Sequence, residues 1–202
     1  MSLEVYAAYL AACLIVVLVP GPSVTLIVAT SIRHGARAGL LTVLGGQIGI
    51  ATTILVVAIG LTSLIEAMGH WFDWLRLAGA AYLVWLGWRM IRASKAGTPS
   101  PPTPPRGGYL AQGALVALSN PKTLIFFGAF FPQFIDPARD QLLQMTIMGV
   151  TALVVAAISD SAYALAAGRA GRALSARRVR LLSRASGGML IGGGIWLAAS
   201  RS

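Results

Sequence analysis

Two charged side chains stand in surroundings that should carry none. Lys122 follows Ser119-Asn-Pro and is flanked by Phe126, Phe127, Phe130 and Phe131. Asp160, in Ala157-Ile-Ser-Asp-Ser-Ala-Tyr163, is the only acidic residue inside an apolar span. A charge in such a place costs several kcal/mol unless it is paired or wetted. Lys122 has the chemistry to hold a carboxylate ligand or to pair with an acid, and its long stem also allows it to snorkel from a shallower position. A carboxyl in low dielectric, as at Asp160, suits a proton carrier. Its alternative role is structural, neutralising Lys122 or a nearby arginine.

Beside Lys122 the helical pattern is interrupted. Pro20-Gly21-Pro22 and Asn120-Pro121 each remove a backbone hydrogen bond and push the preceding residue from helical dihedrals, so carbonyls and amides are left over. Either is readable alone as an ordinary proline kink, but breaks at aligned positions of two helices point to a polar ligand site, because half-helix ends present oriented dipoles. Gln47, within Gly45-Gly-Gln-Ile-Gly49, suits close helix packing, with a place on a polar path as the alternative. His34 and His70 fall in opposite surface loops and have no cysteine or carboxylate cluster beside them, so no metal site is expected. The lone Cys13 lies in an apolar run and reads as a small buried hydrophobe. No nucleophile elbow, zinc-protease helix or phosphate-cradling loop occurs, so neither an enzyme nor a cofactor is expected.

These residues need a scaffold, and composition says which. Of 202 residues 56% are hydrophobic and 11% charged, with a mean hydropathy of +0.76, outside the ordinary soluble range. Val5 to Ile32 and Ala38 to Ile65 contain no charged residue, and each exceeds the roughly 20 residues of a spanning helix. The first run has no preceding basic residue and no small-residue cleavage site, so it is expected to stay as a mature helix. The net charge of +10 is not a nucleic-acid footprint. Twelve of the sixteen basic residues sit in three connections: Arg33 and Arg37; Arg89, Arg92, Lys95 and Arg106; Arg169, Arg172, Arg177, Arg178, Arg180 and Arg184. Placing these on the cytoplasmic side satisfies the positive-inside rule and leaves both termini outside.

The pattern predicts an all-α integral membrane protein with six transmembrane helices, at Val5–Ile32, Ala38–Ile65, Trp71–Ile91, Tyr109–Ile135, Gln141–Gly168 and Arg184–Ser200. Trp71, Trp74, Trp85 and Trp88 suit interfacial belts. A Pro-rich cytoplasmic linker, residues 96–108, divides the single membrane domain into three-helix repeats at 1–95 and 109–202. Three helices per half force the second half to enter in the opposite sense, which makes the repeat inverted. Tyr9 to Pro22 aligns without a gap on Tyr109 to Lys122, with Tyr, Leu, Ala, Val and Leu recurring at matching places. At about 1.5 Å per residue, Asp160 lies on the order of 10 Å nearer the cytoplasm than Lys122, so direct pairing is not assured. The small-residue pattern from Gly188 to Gly192 is compatible with a helix interface and leaves homo-oligomerisation open.

Pro20-Gly-Pro22, Ser119-Asn-Pro-Lys122 through Phe131-Pro-Gln-Phe134, and Ser159-Asp160 together resemble the LysE/RhtB family of bacterial amino-acid exporters, over nearly the whole chain. The resemblance implies efflux of amino acids such as homoserine, threonine or lysine, in exchange for protons, across the bacterial inner membrane. It carries Pro20, Gly21, Pro22, Asn120, Pro121, Lys122 and Asp160 as functional positions. Metal-cation and reductant carriers of the wider superfamily use histidine-rich and paired-cysteine features that this chain lacks. The partners implied are a small-molecule substrate and the lipid bilayer, with no nucleic acid. Two other classes fit the same residues: a non-transporting scaffold or lipid-interacting protein, and a channel lined by the breaks.

Overall fold

A computed structural model describes residues 1–18, 20–63, 69–95, 105–136, 138–173 and 176–199. Most of the Pro-rich linker lies outside the described residues, as do the side chains of His70, Trp71, Trp74, Arg76, Pro121 and Phe130. Among the described residues the chain is helical, with no strand.

The first expected span is two helices, α1 (Leu3–Leu18) and α2 (Pro22–His34), bent by 49°. The second is a single helix, α3 (Ala36–Ser63). The third is α4 (Gly69–Lys95). The fourth breaks into α5 (Gly108–Leu118) and α6 (Pro121–Ile125), and the segment Lys122–Phe134 is bent from α5 by 57°. It continues as a π-helical turn over Phe126–Phe130 and a 3₁₀ turn over Phe131–Phe134. The fifth and sixth are α7 (Gln141–Ala173) and α8 (Ala176–Ala199). α8 therefore starts well before the expected Arg184, because arginine favours helix and Arg177, Arg178 and Arg180 stay exposed on it. Ala36–Ala58 and Gln141–Gly171 are long and apolar enough to cross a bilayer alone, and each bent pair passes as one span, which makes four by this measure. α4 and α8 are not among them.

The apolar surface is turned outward. On α7, Val150, Val154 and Ile158 are exposed, while Ala152, Ala156, Asp160 and Ala164 line the opposite, buried face at intervals of four. Large apolar groups outside and small or polar ones inside is the arrangement a hydrocarbon solvent permits. Tyr9 anchors the inner packing at one end. It meets Phe126, Phe131 and Phe134 at ring separations of 6.1, 6.0 and 5.4 Å, and its hydroxyl donates to Met148 O at 2.9 Å. α3 and α5 cross backbone to backbone: a Cβ at Gly45 would strike Leu110 O, and one at Gly113 would strike Thr42 O.

α4 lies along α8, where a Cβ at Gly187 would come to 2.6 Å from Gly87 O and one at Gly194 to 2.8 Å from Ala80 O. Gly188 and Gly192 are exposed instead, so the contact uses their neighbours in the small-residue pattern. Trp85 and Trp88 are half exposed with Arg89 and Arg92 stacked on them at 4.7 and 5.0 Å, as an interfacial belt requires. His34 departs from the expectation of a solvated loop. It ends α2, part-buried against the Tyr109 ring at 5.4 Å, because α2 runs on to the edge of the loop.

Candidate functional site

Each break is built by its own residues. Asn120 has extended backbone (φ −78°, ψ 114°) and acts as N-cap of α6, its Oδ1 accepting from Lys122 N at 3.1 Å, with Pro121 in the first turn. That is a favourable start for a helix, since Pro needs no donor there and Asn supplies an acceptor. In the other half Gly21 is the N-cap of α2 and Pro22 opens it, with no side-chain cap.

The breaks meet. Asn120 Nδ2 donates to Ser23 Oγ at 2.8 Å, which ties the second break to the first turn of α2. Lys122 Nζ donates to Val16 O at 3.0 Å, in the last turn of α1. A Cβ at Gly21 would lie 3.5 Å from Lys122 Cε and 3.8 Å from Asn120 Oδ1. Between α1, α2, α3, α6 and α7 is a cavity of about 60 Å³, lined by Asn120, Lys122 and Thr123 at the second break, Cys13, Val16 and Ser23 at the first, Ile50 on α3, and Ala152, Ala156 and Asp160 on α7. Phe126 and Phe127 close its apolar flank. At roughly 10–15 Å³ for each water, it holds a handful of them. It is far below the roughly 300 Å³ at which small-molecule pockets begin, so a metabolite would need the walls to part.

Lys122 and Asp160 both border this one cavity. Counting along straight helices had set them about 10 Å apart in depth. The structure nonetheless places both residues on the lining of one cavity. Asp160 is 6% exposed and Asn120 1%.

The other expected positions divide. Pro20 is exposed, and Pro22 packs toward α8, where a Cβ on Gly193 would approach its Cγ at 3.1 Å. These prolines act through the backbone they interrupt. Gln47 is not on the cavity. With its amide turned to suit its surroundings it donates to Leu153 O at 3.0 Å and accepts from Ala157 N at 3.3 Å. It ties α3 to α7, a packing contact. Sequence reading missed Ser23 and Thr123 as cavity residues, and it took Cys13 only as a buried hydrophobe, whereas that thiol is both buried and on the cavity wall. It also passed over Ala152 and Ala156, although they precede Asp160 at intervals of four and share its helix face. Among the described residues no three metal-ligating side chains gather.

Outward apolar faces, two broken helices, and a cavity bordered by Lys122 and Asp160 where the breaks meet define a helical membrane protein with a built internal polar site. Its sequence places it further: the LysE type translocator family model matches residues 14–201, and the chain belongs to that family. It is 36% identical to a homoserine/homoserine lactone efflux protein of Salmonella typhimurium over 100% of this chain and 99% of the relative. It is 33% identical to an uncharacterised membrane protein of Vibrio cholerae over the full length of both. A leucine efflux protein of Klebsiella pneumoniae is 34% identical over 65% of this chain and 63% of its own length. No solved structure matches the chain.

Proposed function

We propose that the protein exports amino acids or closely related small metabolites across the bacterial inner membrane, by alternating access coupled to protons. The observation that carries this reading is the meeting of the two helix breaks around a cavity bearing Lys122 and Asp160. Six spans form two inverted three-helix repeats with both termini outside, a reading supported by the matched breaks and by the distribution of arginines. Rocking of one repeat against the other opens the cavity to each side in turn. Asn120 and Lys122 contact substrate, and Asp160 takes up and releases the coupling proton.

The cargoes named for the relatives narrow the chemistry. Leucine and homoserine have an α-ammonium and a carboxylate, whereas homoserine lactone keeps the ammonium and has no free carboxylate. A site for all three must recognise the ammonium, with carboxylate capture by Lys122 as an additional contact. The reading is tested by reconstituting purified protein in liposomes and following efflux of leucine, homoserine and the lactone under an imposed pH gradient. Saturable flux that responds to the gradient is expected, with Asp160→Asn folded but no longer driven by it. Undiminished driven transport by Asp160→Asn would remove that residue from the mechanism, and non-saturating flux without counter-transport would favour a channel.

A further inference from the structure

In an α-helix the carbonyl of each residue accepts from the amide four residues on. For Val16 that residue is Pro20, which has no amide hydrogen. The replacement comes from the other half of the chain, since Lys122 Nζ donates to Val16 O at 3.0 Å. This carbonyl lies in the last turn of α1, where the helix dipole favours a cation. Val16, Lys122 and Asp160 all border the same cavity. A carbonyl at the negative end of a half-helix, with a carboxyl on the same cavity, is a binding place for an ammonium ion, and in this structure the Lys122 amino group is what occupies it.

We propose that Val16 O and Asp160 form the subsite for the substrate's α-ammonium, and that Lys122 is a tethered competitor which a primary amine must displace. The inference rests on the efflux reading and deepens it, because it names the group recognised and gives Lys122 two opposed effects. A ligand with both groups displaces the lysine and then gains it as a partner for its carboxylate. A ligand with only an ammonium meets the competition and gains nothing in return. A ligand with only a carboxylate gains from Lys122 and leaves the Val16 carbonyl without a donor.

The test is equilibrium binding of labelled ligands to the purified full-length protein in nanodiscs at mildly acidic pH. Homoserine supplies both groups, homoserine lactone and n-butylammonium the amine alone, and N-acetylhomoserine the carboxylate alone. Lys122→Met is expected to tighten the lactone and n-butylammonium several-fold while weakening N-acetylhomoserine. Unchanged or weaker amine binding in Lys122→Met would overturn the proposal. Pro20→Ala returns the amide hydrogen to Val16 O and so weakens the charge-assisted bond for ligand and Lys122 alike; with the competitor removed, amine-only ligands are expected to bind Lys122→Met/Pro20→Ala about tenfold more weakly than Lys122→Met. That loss cancels the gain from Lys122→Met. Equal amine affinity in Lys122→Met and in the double variant overturns the proposal, and Lys122→Leu replaces Lys122→Met in both arms if the methionine variant does not fold. If homoserine, the lactone and N-acetylhomoserine all fail to bind the wild-type chain, the efflux reading falls, and n-butylammonium still decides the subsite by the same two variants.

Discussion

Asn120 is the residue on which the joined breaks depend, and its removal can be worked through. In Asn120→Ala, α6 loses the acceptor for Lys122 N, an N-cap contact worth typically about 1 kcal/mol. The tie to Ser23 Oγ goes as well. Side-chain hydrogen bonds within membrane bundles average about 0.6 kcal/mol, so the total loss is about 1.6 kcal/mol, a factor of roughly 15 in the folding equilibrium. Asn120→Ser keeps a capping oxygen but is too short to reach Ser23, so only the tie is lost, about 0.6 kcal/mol. Ser23→Ala should cost about the same. The informative quantity is the coupling in the Asn120→Ala/Ser23→Ala cycle, expected at about 0.6 kcal/mol because both single variants delete one shared bond. The assay is reversible unfolding of the purified protein in mixed micelles by SDS titration, followed by circular dichroism. Strictly additive losses would refute the reasoning, since they would mean that the two breaks do not touch in the folded protein.

Other consequences follow from the packing. Gly113→Val should destabilise the protein by at least about 1–3 kcal/mol, because its side chain would be driven into the α3 backbone at Thr42 O, while Gly46→Ala, whose Cβ meets nothing within 4 Å, should be neutral or stabilising in the same titration. Tyr9→Phe keeps the ring packing and loses the bond to Met148 O, so a loss of about 0.6 kcal/mol is expected, and none would contradict the contact. Gln47→Leu should retain most of its flux in liposomes and lose under about 1 kcal/mol in stability. Abolished flux with unchanged stability would put Gln47 back on the translocation path.

Much of this was legible in the sequence because hydrocarbon is an unforgiving solvent. A proline or a charge in an apolar span has to be accommodated by protein or water, so Pro20, Pro22, Pro121, Lys122 and Asp160 declared themselves by type alone. What could not be read was where polar groups without a distinctive side chain would be used. Val16 is one apolar residue among many, and its carbonyl matters only because Pro20 is four residues on and Lys122 is folded against it. Gln47 is the converse case. Its side chain stands out in an apolar run, yet α3 presents it to α7 rather than to the cavity, and a helix face cannot be assigned when apolar residues surround it on all sides. The π-helical and 3₁₀ turns after α6 were hidden for a related reason: the Phe-rich run fits several helical windings, and packing of Phe126, Phe131 and Phe134 around Tyr9 accompanies the one adopted.

The most direct measurement is a cryo-EM structure of the protein in nanodiscs with homoserine at saturating concentration. Density for the amino acid is expected between the α1–α2 and α5–α6 breaks, with its ammonium at Val16 O and Lys122 turned to its carboxylate. Two breaks that face acyl chains apart from one another, or amino-acid density elsewhere in the bundle, would contradict the account.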